Sequence, residues 1–435
     1  MFLRPNMYTS YEDEAQILPT YTKKVLAAIG ILVLFLIPFD IPLITAPTDI
    51  PLLRNIPVIS NGIPPLRFLG DSSWLRAMDE ALIFAVAALG LNILTGMAGQ
   101  VSLGHAFFMG VGAYSGAVLG GVATSNVWGW NLPIWIWLPG AGIGAALVGI
   151  IVSPVAVRLR GLYLAIVTLG LVFVGIHMSN TNWGKALAGD PGLGRDFPPL
   201  DIELWREETP LVSIDDDGTW FGFLDVSDSQ KRYLFLVVVF LFFVLLAKNI
   251  ARTRTGRALQ AIRDRDIAAE VMGVPEFKYK LIAFATSSFF AGIAGALFAS
   301  SAGKLPANQF NLVLSVEFIA ILLIGGVGTV SGTILGTFFV VLSPKFVEDF
   351  TEWLADKTEG DGIGASIADA VISNGGDQGP VSAATQTPGY PLNVFDWNLV
   401  LYGVLIIVFL IFEPLGLYGI WIKIRNYWKG WPFSY

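Results

Sequence analysis

Asn92, Thr95, Gln100, Ser102 and His105 are strung through the otherwise apolar stretch from Gly90 to His105, with glycines at Gly90, Gly96, Gly99 and Gly104 between them. Polar side chains at membrane depth are costly unless they face protein or water. Interleaved glycines either let helices pack closely or break a helix so that its backbone groups can meet a polar solute. Two readings therefore stand together for Asn92, Gly96, Gly99, Gln100, Ser102, Gly104 and His105: helix packing, or a broken helix beside a translocation pathway. His105 is one of two histidines in the chain. No second ligand sits at a useful spacing, so a helix-to-helix hydrogen bond is its simpler use and no metal site is expected.

A second polar feature lies far along the chain. Glu317 enters an apolar run from Leu312 to Leu342 that is interrupted by Gly325, Gly326 and Gly328. A carboxylate there needs a partner, water or a proton. It could meet an ammonium group of a solute, or support the glycine turn or a partner interface.

The third feature is basic. Lys248, Arg252, Arg254, Arg257, Arg263, Arg265, Lys278 and Lys280 fall between two apolar segments. Lys and Arg beside membrane spans stay on the cytoplasmic side, so residues 248–280 are expected to form a cytoplasmic loop. From Arg257 to Met272 the charges alternate with Ala258, Leu259, Ala261, Ile262, Ile267 and Val271, compatible with a short surface helix ended by Gly273 and Pro275. Arg257, Arg263, Asp264, Glu270 and Gly273 are candidates for docking a partner; the alternative is a solvated basic face that only orients the chain.

These groups require a membrane scaffold. Of 435 residues 54% are hydrophobic and 14% charged, too few charges to cover a water-soluble globule of this size. Val25 to Phe39, Ala81 to Thr95, Leu162 to Met178, Tyr233 to Ala247 and Leu399 to Phe412 have the length and near absence of charge of spanning helices, and they lack the alternation of barrel strands. The expected fold is an all-α integral membrane protein of about ten transmembrane helices with both termini cytoplasmic and with broken or Gly-rich helices. The apolar run after Lys23 and Lys24 lacks a signal-peptidase site and is expected to stay as the first span. Residues 1–20 are expected to form a polar cytoplasmic segment, 21–416 the transmembrane domain and 417–435 a basic cytoplasmic tail. The Pro-rich stretch Pro42 to Pro65 and the segments 179–230 and 345–396 are expected outside, the last of them flexible. The first of these two segments holds eleven Asp or Glu against Lys185, Arg195 and Arg206. Leu312 to Leu342 is expected to cross twice, with its glycine turn on the inner side. Trp128, Trp130, Trp135 and Trp137 are expected to form an interfacial belt.

The stretch from Gly90 to His105, continued through Phe107-Phe108-Met109-Gly110-Val111-Gly112-Ala113-Tyr114, resembles the hallmark of LivM-type permeases of branched-chain amino acid ABC importers. Arg158 to Gly170, Arg254 to Val274, and Ser315-Val316-Glu317 with Gly325 to Gly332 are similar to three further stretches of that family, in the same order. The resemblance implies a pathway-forming subunit for a small amphipathic solute in a bacterial-type inner membrane. It also implies a LivH-like second permease, two cytoplasmic ATPase subunits, an external substrate-binding protein, and a coupling role for the basic loop. The chain departs from the family at Ala188 to Gly194, where a Thr-Gly-Gly stretch is common, and in its longer acidic outer segments.

No phosphate loop of the form Gly-x-x-x-x-Gly-Lys-Ser/Thr occurs in the chain, which agrees with ATP binding on partner subunits. No cofactor and no nucleic-acid partner are expected, and the absence of cysteine removes thiolate chemistry. An enzyme is disfavoured because the spans hold no serine elbow or close carboxylate pair. A urea or short-amide permease is the nearest alternative. A stand-alone secondary transporter is a further one, for which Glu317 and His105 make a poor ion relay.

Overall fold

The computed structural model describes residues 21–38, 72–124, 127–159, 161–202, 214, 218–220, 224–358, 372–373, 381–382, 400, 403–404, 407–408, 411–413 and 416–430. Residues 1–20, the Pro-rich connector and most of 359–399 lie outside the described residues, as does much of the expected last span, Trp397 to Phe412. The helices are α1 (Tyr21–Leu36), α2 (Ser72–Leu91), α3 (His105–Gly120), α4 (Ile134–Arg158), α5 (Leu162–Ser179), α6 (Asn182–Ala188) and α7 (Asp228–Arg252). They continue with α8 (Arg254–Asp264), α9 (Asp266–Val271), α10 (Glu276–Ala302), α11 (Leu312–Gly325), α12 (Val330–Thr358) and α13 (Gly416–Gly430). A π-helical segment, Asn92–Met97, extends α2. The strands are minor: β1 (Arg195–Asp196), β2 (Gly218–Trp220), β3 (Leu224–Val226), β4 (Lys304–Leu305), β5 (Ile372–Ser373) and β6 (Val381–Ser382), paired as β1 with β4, β2 with β3 and β5 with β6.

Local sequence starts these helices where side chains can satisfy free amides. Ser227 and Gln230 form a reciprocal capping box at α7, and the Asn311 side chain accepts from the Leu314 amide at α11. Among the described residues five helices are long and apolar enough to cross a membrane: Ser72–Met97, Ile134–Val155, Asp228–Arg252, Glu276–Ala302 and Ala307–Gly325. The pair Tyr163–Ser179 and Asn182–Ala188 bends by 92°, and Lys24–Leu36 and Val330–Phe346 are shorter apolar helices.

Helix α2 is the hub. Its alanines and bulky aliphatics are buried almost throughout, from Trp74 to Leu91. It packs against α7, α10 and α12, while α10 also lies against α3 and α4. Small residues set this spacing: Gly112 of α3 meets the Gly292 backbone of α10, leaving no room for a side chain at either position. One end of α2 is fixed when the Trp74 indole donates to Asp349 at 2.7 Å and packs edge-on to Phe346. Its other end meets α8 and the turn between α11 and α12.

Several expectations need correction. The basic stretch 248–280 is not one loop: Lys248 and Arg252 lie in α7, and Lys278 and Lys280 lie in the first turns of α10, where Lys280 pairs with Glu276. The single helix expected from Arg257 to Met272 is two, α8 and α9, broken at Arg265 with its backbone extended. The segment expected to loop out from Lys345 is helical as far as Thr358. Trp128, Trp130 and Trp135 are exposed, but Trp137 turns inward against Gly116 and Gly120, which leave it space. The basic tail is largely helix α13, packed against α11 and α12.

A broken helix joined to the basic surface

The Asn92–Met97 segment departs from α-helical geometry because its neighbours hold it open. The Asn92 side-chain oxygen accepts from the Gly328 amide at 2.8 Å. That oxygen sits where a Cβ on Gly96 would stand, and the Gly328 amide nitrogen would be 2.6 Å from the same atom. Only glycine fits. Downstream, the Ala98 amide donates to Ile93 O at 3.2 Å and the Gln100 amide to Leu94 O at 3.1 Å, wider turns than an α-helix makes. Thr95 Oγ1 donates to Gln100 O at 3.0 Å. Gly99 then turns the chain back with φ of 71°.

Residues 98–104 are not helical, and α3 begins at His105. The His105 Nε2 lies 2.8 Å from Ala87 O, so this nitrogen carries the proton in that bond, and the ring stacks edge-on to Phe318. Ala87 is ten residues before Met97, about 15 Å along a helix rising ~1.5 Å per residue. That distance is about half of a hydrocarbon core ~30 Å thick. Helix α3 therefore starts deep between its neighbours, where its free amides cannot reach bulk water.

Two hydroxyls from other helices meet those amides. Leu103 N–H donates to Thr168 Oγ1 of α5 at 2.9 Å, and Ala106 N–H donates to Ser315 Oγ of α11 at 3.1 Å. Ser102 Oγ accepts the Gly104 amide at 3.4 Å. Thr168 and Ser315 are both wholly buried. Ser315 was named only as part of a family-like stretch and neither hydroxyl was given a use, since a lone hydroxyl in an apolar run carries no positional signal; only the start of α3 reveals it.

Among the coupling candidates, Arg263 reaches the break. Its Nη1 donates to Gly96 O, and its aliphatic stem lies against Gly99. Helix α8 reaches this position because Ala258, Leu259 and Ile262 form one buried face. Asp264 borders a cavity beside Gln100. Arg257 bonds to Arg252 O on the exposed side. Glu270 and Gly273 are also exposed, next to Val271 and Met272, which are 82% and 84% exposed. Gly325, Gly326 and Gly328 form the α11–α12 turn, with φ of 118° at Gly326 and 86° at Gly328. Glu317 lies apart from Gln100 and Arg263, half-buried on α11 within electrostatic reach of Glu80 of α2. The adjacent carboxylates Asp79 and Glu80 of α2 point to different sides, Asp79 buried and Glu80 exposed.

At the opposite end, a buried guanidinium organises the surface. Arg195 donates to Leu187 O at 2.8 Å, Ala117 O at 2.7 Å and Trp128 O at 3.0 Å. Burial pushes its pKa below the ordinary arginine value, an effect opposed by Tyr114 and Asp196. It borders a cavity of about 630 Å³ together with Asn182, Lys185, Asp190, Asp196 and Lys304. Among the described residues no group of three or more His, Cys, Asp or Glu side chains is placed to hold a metal ion.

The chain is 32% identical over 280 residues to the high-affinity branched-chain amino acid transport system permease protein LivM of Escherichia coli (strain K12), covering 62% of this chain and 63% of that protein. It is 33% identical over 277 residues to LivM of Salmonella typhimurium (strain LT2), with the same coverage of 62% and 63%. It thus spans less than two thirds of the length of these relatives. The autoinducer 2 import system permease protein LsrC of Enterobacter sp. (strain 638) is 31% identical over 281 residues, covering 62% of this chain and 71% of that protein. No solved structure gives a significant match. The family described as branched-chain amino acid transport system / permease component matches residues 74–410. Together with the apolar helices, this makes the chain a multi-pass membrane protein that belongs to the branched-chain amino acid transport system permease family and is LivM-like within it.

Proposed function

We propose that the chain is the LivM-like subunit of an ABC importer and forms part of the pathway for branched-chain amino acids, working with a LivH-like second permease, two cytoplasmic ATPase subunits and an external binding protein. The observation that carries this reading is the Arg263 bond to Gly96 O, which ties a basic surface helix to the break beside the inner end of α2. A rigid-body shift of α8 would act directly on the Asn92–Gly96–Gly328 contact, and bistable contacts of this kind transmit domain movements. The exposed apolar side chains of α9 beside Glu270 suit a groove on an ATPase subunit.

In this reading the chain crosses ten times with both termini inside. The domain limits are 1–20, 21–416 and 417–435, with 248–280 facing the cytoplasm and 179–230 and 345–396 outside. Two contacts support that parity: the glycine turn at 326–329 and α8 meet one end of α2, while Phe346 and Asp349 meet the other. The cavity around Arg195 carries both signs of charge, Lys185 and Lys304 beside Asp190 and Asp196, and suits a polar patch of mixed charge on the binding protein. Asn92, Gly96, Gly99, Gln100, Ser102, Gly104, His105, Glu317, Gly325, Gly326 and Gly328 shape the pathway or its break. Arg257, Arg263, Asp264, Glu270 and Gly273 serve coupling.

The comparable identity to LsrC supports a second reading with autoinducer 2 as the solute. One experiment tests both: purify the tagged chain with its partners, reconstitute the complex, and compare ATP-driven uptake of leucine, autoinducer 2 and urea. Leucine accumulation supports the proposal. Accumulation of another of these solutes instead replaces the substrate, and recovery of the chain alone with ATP-independent transport overturns the importer.

A further inference from the structure

Helix α13 carries an apolar stripe bordered by cations. Leu417, Ile420, Trp421 and Ile424 recur at the spacing of one helical face. Leu417 packs against the core, but further along the stripe Trp421 and Ile424 are 51% and 46% exposed. Arg425 and Lys429, one turn apart, border that stripe, and no Asp or Glu occurs from Gly416 to Tyr435. Lys423 is already engaged by Glu413.

Two observations place this helix at the membrane surface. Three residues separate Gly416 from Phe412, the end of the apolar run from Leu399, so α13 begins within ~14 Å of that run's end. Gly416 is also pressed against the end of α11: its φ is 64°, and a Cβ there would stand 2.5 Å from Ile324 O and 2.8 Å from the Gly326 amide nitrogen. Indole rings sit at the level of lipid headgroups, apolar side chains of an interfacial helix enter the acyl boundary, and nearby Lys and Arg are drawn to anionic lipids. The stripe and its border match all three, whereas a free phosphate ion would leave Trp421 and Ile424 uncovered. We propose that α13 is an interfacial helix that binds anionic phospholipid, with Trp421 and Ile424 in the headgroup–acyl boundary and Arg425 and Lys429 supplying the positive charge. Only its placement on the inner leaflet rests on the importer reading above. The lipid lies beside α11 and α12, whose glycine turn bonds Asn92.

The chain has no cysteine, so the full chain with a single Ile424→Cys can carry a nitrobenzoxadiazole label. In phosphatidylcholine nanodiscs containing phosphatidylglycerol, brominated acyl chains are expected to quench the label at Ile424→Cys and not at Asn426→Cys, which lies on the opposite face. When phosphatidylglycerol is added to the detergent-purified chain, the label should respond saturably, with an apparent affinity about five-fold weaker for each of Arg425→Gln and Lys429→Gln. Phosphatidylcholine should give no saturable response. Lys429→Gln alone keeps the test valid if loss of Arg425 disturbs the packing of α13. No quenching, equal quenching at both positions, or a phosphatidylglycerol response indifferent to both substitutions overturns the proposal. A label that ignores lipid and responds only to added ATPase subunits also overturns it, and gives the stripe to a protein groove. Both leaflets of a nanodisc are alike and no transport is measured, so failure here leaves the importer standing. Failure of the assembled complex to take up leucine with ATP would count against the importer and not against lipid binding by α13.

Discussion

Arg263 donates from its guanidinium to the carbonyl of Gly96, a bond between a surface helix and the interior break of another helix. The carbonyl is available because the segment Asn92–Met97 is π-helical and continues into a non-helical stretch. Asn92 holds the far side of the same break through Gly328. Three distant parts of the chain thus meet at one joint.

Thr168 and Ser315 should matter jointly because they bond neighbouring amides at the buried start of α3. Thr168→Val and Ser315→Ala are each expected to lower stability by about 1–2 kcal/mol, as for a lost helix cap. The double variant should depart from additivity, since the two sites share one segment. Thermal unfolding of the purified protein checks this. Strict additivity with losses under about 0.3 kcal/mol would show that the hydroxyls do not support the helix start.

Gly96 and Gly104 leave no space for larger residues. A Cβ at Gly96 would meet the Gly328 backbone at 2.6 Å, and one at Gly104 would meet Thr168 Cβ at 3.1 Å. Gly96→Ala should destabilise by about 1–3 kcal/mol through forced displacement. Gly104→Leu should abolish uptake while the chain still inserts in the membrane. Uptake at the unaltered rate in Gly104→Leu would return the segment to a packing role alone.

Arg195 bonds three carbonyls with a planar, forked cation, which a lysine cannot reproduce. Arg195→Lys is expected to cost about 1.5–3 kcal/mol, the range for a hydrogen bond to a charged group. It should also increase proteolytic cutting around residues 182–202. Limited proteolysis compared with the parent chain decides it; an identical digestion pattern would mean that the clasp does not hold this surface.

How much of this was legible in the sequence depended on the kind of signal. Long apolar runs announced α2 and α7, because a run of that length has few alternatives in a membrane protein. The mixture of glycines and polar residues from Gly90 to His105 allowed either close packing or a break, and α2 ends there in a π-helical segment. What periodicity could not provide was partners. Thr168, Ser315 and Gly328 lie far along the chain from the residues they touch, and no local rule places them there. Trp137 was misread for the same reason: its inward rotamer depends on Gly116 and Gly120 in another helix. The break at Arg265 went unseen because an arginine carries no helix-breaking signal of its own.

The most direct measurement is leucine accumulation and ATP turnover in proteoliposomes containing the assembled complex and its binding protein, for the parent chain and for Arg263→Ala. The parent should accumulate leucine only with ATP, and its ATP turnover should rise when loaded binding protein is added. Arg263→Ala should still insert and assemble, with basal ATP turnover retained, but should lose that stimulation and at least ten-fold of its uptake, the order expected for a charged hydrogen bond worth about 1.5–3 kcal/mol. Equal uptake and equal stimulation in the variant would contradict coupling through the Arg263–Gly96 joint.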